Sequence, residues 1–161
     1  DNMRKFEKIS FEQFKKDIKD DKELYESYSI PRRNTKNSAG YDFEAIYDYI
    51  IKPGETMKLP TGIRACMEND DVLFILDRSS MGFKYNVRMT NQVGVIDADY
   101  YECENEGHIW IKLQNEGDKD YIVKKGDSMI QGIFMKYLKT DDDIESNNIR
   151  NGGLGSTNKE D

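Results

Sequence analysis

"TMKLPTGIRACMENDDVLFILD", residues 56–77, contains three short apolar-rich runs, broken first at Pro60–Gly62 and again at Asn69-Asp70. Runs this short, bounded by Pro, Gly and Asn-Asp, read as strands joined by tight turns, because those residues supply the backbone angles a turn needs. The pattern continues in both directions. From Tyr28 onward a Gly, Pro or Asn breaks the chain roughly every 8–12 residues, a spacing that points to an antiparallel sandwich or barrel. Between the breaks lie "VGVI", "HIWIKLQ", "YIVKK" and "IQGIFMKY". No nucleotide-binding βαβ unit and no P-loop interrupts them.

The two ends differ from this middle. Residues 3–9, "MRKFEKI", roughly alternate and are expected to form a first strand. Ser10 opens "SFEQ", a capping box with Gln13, and Phe11, Phe14, Ile18 and Leu24 recur at near-helical spacing. One amphipathic helix is expected over about residues 10–19, with an extension to 27, packed on the main body. The other end changes to an acidic "TDDDIES" and then "RNGGLGSTNKED"; residues 141–161 have little to bury and are expected to be flexible.

At 161 residues, one domain spanning 1–161 is expected to bury its own core. A net charge of −7 argues against duplex nucleic acid as a partner, since that surface requires a basic face. An anionic small ligand remains possible, held by a few arginines, backbone N–H groups and a divalent cation. No apolar run approaches a membrane span. With only Cys66 and Cys103, a disulfide framework is not expected, and a reduced cytoplasmic setting is.

Five stretches carry groups suited to chemistry. "AGYDFEA", residues 39–45, places Asp42 in a β-type run, where taken alone it reads first as an ordinary strand-start carboxylate. "DRSSMG", residues 77–82, offers the planar fork of Arg78 and the hydroxyls of Ser79 and Ser80, suited to phosphate oxygens; taken alone it is also a common turn. "NQVGVIDADYY", residues 91–101, sets Asp97 and Asp99 behind an apolar hairpin and closes it with tyrosines. "KKGDSMIQG", residues 124–132, leads from a turn into a strand bearing Gln131. The tail adds Arg150, several glycines, Ser156 and Thr157.

In this order and spacing, the five stretches resemble the motifs of the all-β, homotrimeric dUTP pyrophosphatase (dUTPase) family, over about residues 28–157. The resemblance implies a jelly-roll-like β domain of the β-clip type, to which the N-terminal helix is an addition. It implies hydrolysis of dUTP to dUMP and pyrophosphate with Mg2+, limiting uracil in DNA, at sites shared between subunits of a trimer. Within that frame Asp97 matches the carboxylate that activates the attacking water. Tyr100 matches the ring that packs on deoxyribose and leaves no room for a 2′-OH. Asn91 and the backbone of Gly94, Val95 and Ile96 match the hairpin that reads uracil; cytosine would leave polar groups there unpaired. Arg78, Ser79, Ser80 and Gln131 match phosphate contacts, and Arg150, Gly155, Ser156 and Thr157 match the closing tail. Asp42 matches a carboxylate that reaches Mg2+ through water.

The chain also departs from the family pattern. Leu154 stands where an aromatic residue usually stacks on uracil. "YECENEG", residues 101–107, is about five residues longer than the usual turn, which sets Trp110 on the strand bordering the sugar pocket; a core tryptophan is the other reading. Asp99 is assigned to the turn, Cys103 to an unpaired thiol, and His108, the single histidine, to a surface strand position. Two alternatives remain. A dCTP deaminase of the same fold needs a glutamate where "WIKLQ" has Lys112. A nucleotide-binding regulatory protein would use the added helix to contact a protein partner.

Overall fold

Buried and more exposed residues alternate along Trp110–Asn115. Ile111, Leu113 and Asn115 point inward while Lys112 faces water, the period of a strand with one face on a core. In the computed structural model, residues 3–152 are described. In chain order they form β1 (Lys5–Lys8), α1 (Phe11–Asp17), α2 (Lys22–Ser27), β2 (Tyr41–Glu44), β3 (Tyr49–Ile51), β4 (Thr56–Pro60), β5 (Ile63–Cys66) and β6 (Asp71–Leu76). Then follow α3 (Ser79–Tyr85), β7 (Val87–Met89), β8 (Gly94–Asp97), a 3-10 turn (Ala98–Glu102), β9 (Trp110–Asn115), β10 (Tyr121–Val123) and β11 (Ser128–Lys136).

The strands pair antiparallel in a four-stranded sheet of order β2-β11-β6-β8, a three-stranded sheet β4-β9-β7, and the pairs β1-β5 and β3-β10. The all-β class read from the turn spacing is therefore correct. The inward faces share one core in which Phe43, Leu73, Ile75, Met89, Leu113 and Ile130 are buried. Each such side chain contributes about 1.5–3 kcal/mol by leaving water. Asn115, buried among them, stays satisfied: its amide donates to the Ile51 and Lys119 carbonyls and accepts from the Gly117 N–H, all within 2.9 Å.

The N-terminal segment differs from expectation in its detail. It forms two short helices rather than one, because Asp21 caps a fresh start: its carboxylate accepts from the Leu24 N–H at 3.0 Å. Ser10 does cap α1, accepting from the Gln13 N–H at 3.1 Å. The reciprocal half of the box is not made by Gln13, which turns to Asp17. Glu106, from the long turn, accepts the Ser10 N–H at 2.8 Å instead. Phe14 is wholly buried, stacked on Tyr28 and edge-on to Tyr25.

Three further readings are corrected or extended. The Arg-Ser-Ser stretch is the start of α3, whose Met81 is buried in the core, rather than a simple turn. His108 is not at the surface and precedes β9: it is 0% exposed, packed 5.0 Å from the Trp110 ring. Residues 141–152 of the tail carry no helix or strand. Leu154, Gly155, Ser156 and Thr157 lie outside the described residues.

Candidate active site

β8 is the edge of the four-stranded sheet, and among the described residues no strand covers its outer side. Its backbone therefore keeps a row of N–H and C=O groups free for a ligand, the property that makes edge strands adhesive. The hairpin leading into it turns at Gln92, held at φ 64. Gly94 packs closely, since a Cβ there would sit 3.0 Å from the Ile75 Cβ and force that side chain to give way.

Beside this edge lies a cavity of about 290 Å³. Asn91, Gly94, Val95, Ile96, Asp97, Tyr100, Trp110 and Arg150 line it, so most of the residues expected to contact the nucleoside are brought together. Ile75, Met89 and Ile109 add apolar wall. Two polar residues missed by sequence reasoning also line it. Lys58 on β4 holds its ammonium 4.6 Å from the Trp110 ring centre, and Asn105 comes from the long turn. The Lys58↔Lys112 register of β4 with β9 could have flagged the first had the strand pairing been known.

Asp97 ends β8 with its side chain about half exposed. Arg150 donates to it through Nη2 at 2.8 Å and to Asp99 through Nε at 2.7 Å. Asp99, assigned to the turn, thus also anchors the tail. The Asn151 carbonyl accepts the Glu104 N–H at 3.2 Å, and the Cys103 thiol lies 3.8 Å from the Arg150 carbonyl oxygen. Burial pushes that thiol up, away from a reactive thiolate. The Tyr100 phenol, raised chiefly by burial, stays protonated; it donates to the His108 carbonyl at 2.5 Å.

The remaining expected residues gather elsewhere. Gln131 on β11 pairs in register with Asp42 on β2 and with Leu76 on β6. Its amide donates to the Asp77 carbonyl at 2.9 Å, and it fills the space where a Cβ on Gly40 would stand. Arg78, just beyond β6, lies 3.4 Å from the Asp42 carboxylate, and Ser79 and Ser80 follow it into α3. Asp97, by contrast, is in register with Val72 at the other end of β6. Four residues of strand separate Val72 from Leu76, about 13 Å at roughly 3.3 Å per residue. One copy of the chain thus carries the residues expected to contact phosphate and the cavity that holds Asp97 toward opposite ends of one sheet.

Asp42 also accepts from the Asn34 amide. Among the described residues no three His, Cys, Asp or Glu side chains converge where a metal ion could be held. A single hard-oxygen carboxylate beside an arginine fits an outer-sphere contact to hydrated Mg2+, an ion that keeps its waters and takes phosphate oxygens directly. Among the described residues, no helix is long and apolar enough to cross a membrane.

Comparison with known proteins bears on this geometry. A family model described as dUTPase matches residues 26–158. The deoxyuridine 5'-triphosphate nucleotidohydrolase of Lactococcus lactis is 43% identical over 131 residues, covering 80% of this chain and 87% of that protein. Its counterpart in Photorhabdus laumondii is 30% identical over 147 residues, covering 87% and 93%. The solved dUTPase of Streptococcus mutans shares 34% identity and superposes with a TM-score of 0.68, over 86% of this chain and 99% of its own. A dUTPase from phage phi11 of S. aureus, described with a structural Mg(II) ion, is 17% identical with a TM-score of 0.65, covering 90% of this chain and 98% of its own, a likeness of fold.

Proposed function

The chain belongs to the dUTPase family, and from that membership we propose that it hydrolyses dUTP to dUMP and pyrophosphate, with Asp97 as the base. The observation that carries the proposal is the shared cavity: a carboxylate, an aromatic ring and an unpaired strand edge face one space of nucleoside size.

The edge groups of Gly94–Ile96, with Asn91, complement the acceptor–donor–acceptor edge of uracil, and cytosine would leave some of them unpaired at a cost in affinity. The Tyr100 ring packs on the sugar and takes the room a 2′-OH would need. Asp97 accepts a proton from water, the water oxygen bonds to the α-phosphorus, and the bond to the bridging oxygen breaks. Pyrophosphate leaves with the electron pair. Arg78, Ser79, Ser80 and Gln131 hold the phosphates in line, and Arg150 with the tail residues Leu154, Gly155, Ser156 and Thr157 closes over the substrate. Mg2+, when bound to the triphosphate, neutralises charge on it, and Asp42 fits as its contact through water.

The distance between the two halves supports sites shared between copies, as in the homotrimer that the family resemblance implies. Arg78 and Asp42 of one copy serve the Asp97 cavity of its neighbour, since within a copy they stand at opposite ends of β6.

The test is incubation with Mg2+ and dUTP, dCTP, dTTP or UTP, assaying pyrophosphate and ammonia together. Pyrophosphate from dUTP alone, abolished in Asp97→Asn with dUTP binding retained, is the expected result. Ammonia from dCTP would instead make the chain a deaminase, despite the exposed Lys112 at the position where that chemistry needs a glutamate.

A further inference from the structure

The Tyr100 hydroxyl is held at both of its functions. It donates to the His108 carbonyl at 2.5 Å and accepts from the Asn105 amide Nδ2 at 2.8 Å. A phenol ring turns about two bonds near its root, so fixing the far end fixes the ring plane. The amide that grips it is itself fixed. Asn105 Oδ1 accepts the Gly107 N–H at 3.0 Å, which settles which end of the amide carries the hydrogens and aims Nδ2 at the tyrosine. The Asn105 carbonyl accepts the His108 N–H at 3.1 Å, closing the turn around it.

That turn is anchored to the N-terminal helix as well. Glu106 takes the Ser10 N–H, and Asp17 lies 2.6 Å from His108 Nδ1. The two segments that exceed the family pattern therefore meet each other, and their contacts end on the hydroxyl of the ring facing the cavity. Asn105 lines the same cavity as Asp97 and Tyr100.

We infer that Asn105 is a positioning residue for sugar selection: through the Tyr100 hydroxyl it holds the ring where a ribose 2′-OH would collide with it. The inference rests on the proposed placement of deoxyribose against Tyr100. A freed ring can swing away, and the penalty on ribose falls while the uracil contacts, made by the β8 backbone, are untouched.

The test measures kcat/KM for dUTP and for UTP in the full chain, in Tyr100→Ala, Tyr100→Phe, Asn105→Ser and the double variant Tyr100→Phe/Asn105→Ser. Serine keeps a turn-forming oxygen for the Gly107 N–H and removes the amide that reaches the tyrosine. Asn105→Ser and Tyr100→Phe should each raise the UTP:dUTP ratio about three- to tenfold, the size expected for one lost hydrogen bond. The double variant should match Tyr100→Phe, which already removes the bond from Asn105 together with the one to the His108 carbonyl. Ratios that multiply in the double variant, or stay unchanged in Asn105→Ser, overturn the inference. If Asn105→Ser does not fold, an unchanged ratio in Tyr100→Phe overturns it equally. A ratio unmoved even by Tyr100→Ala would instead remove the sugar from Tyr100, and the reading beneath the inference fails with it.

Discussion

Arg150 grips Asp97. Its guanidinium meets the carboxylate at 2.8 Å while its other edge meets Asp99 at 2.7 Å, so the proposed base is paired with a residue of the tail. A substrate carrying several negative charges competes for that arginine. Moving it from Asp97 to the triphosphate frees the base for water in the same motion that neutralises phosphate charge. Arg150→Ala is therefore expected to lower kcat/KM for dUTP by about a hundredfold, the scale of losing one charged stabilising group. Arg150→Lys should recover little of it, since an ammonium cannot bridge two carboxylates as a planar fork does. Steady-state kinetics check both; wild-type rates in Arg150→Ala would remove the tail arginine from the reaction.

Gly107 is expected to be intolerant of any side chain. It sits at φ 70, and a Cβ there would lie 2.7 Å from the Tyr100 carbonyl oxygen and 2.8 Å from the Tyr101 Cα. Backbone atoms cannot step aside as a flexible side chain does, so Gly107→Ala should cost about 1–3 kcal/mol of unfolding free energy. Gly126 has a similar φ of 88 but open space around it. Gly126→Ala isolates the conformational penalty, about 1 kcal/mol. Urea titration of the two variants separates clash from strain, and equal losses would refute the clash. The clash displaces the Tyr100 backbone, so KM for dUTP should rise in Gly107→Ala and stay put in Gly126→Ala.

His108 makes stability depend on pH in a window that no other side chain type covers. Burial lowers its pKa, with the Asp17 carboxylate opposing, Glu106 opposing more weakly and Lys58 adding to the lowering. Geometry supports the same direction: the Gly62 N–H donates to Nε2 at 2.9 Å, and that bond needs the lone pair a proton would occupy. The unfolded chain, with an ordinary histidine near 6.5, takes up a proton below that pH and the native chain resists it. Stability is therefore full above about pH 6.5 and falls, by up to about 1.4 kcal/mol per pH unit, as the pH drops toward the lower folded value. Urea unfolding at several pH values between 5 and 7.5 should show that slope in the native chain. In His108→Gln the slope should flatten, because this is the only histidine in the sequence.

What the sequence concealed in these cases was distance along the chain. Alternation made β9 visible, and turn residues marked its ends, because both are local consequences of backbone geometry. One wall of the cavity was legible for the same reason, since Asn91, Gly94, Val95, Ile96, Asp97 and Tyr100 all fall within residues 91–101. His108 was misplaced at the surface because its carboxylate partner, Asp17, lies in α1 and its second partner, Gly62, in the turn before β5. Ser10 looked like half of a self-contained capping box, yet its partner Glu106 is on another segment. Asn105 carried no local signal, being one polar residue in a polar turn, until the fold set it against Tyr100.

The separation of Arg78 from Asp97 depends on strand register, and it makes a prediction that can be read without a structure. With the halves of each site drawn from different copies, Asp97→Asn and Arg78→Ala subunits are each inactive alone but complementary. A site regains both groups when the Asp97→Asn copy supplies Arg78 and the Arg78→Ala copy supplies Asp97. In trimers formed at random from equal amounts, about one quarter of the sites meet that condition. Co-expression of the two variants should therefore restore dUTP hydrolysis to about a quarter of the wild-type rate per site, with sedimentation confirming three copies per particle. If both groups came from the same chain, every site would lack one of them and the mixture would stay as inactive as its parts. The register of β6 against β8 and β11 favours the shared arrangement, because it keeps Leu76, two residues before Arg78, and Val72, opposite Asp97, toward different ends of one strand.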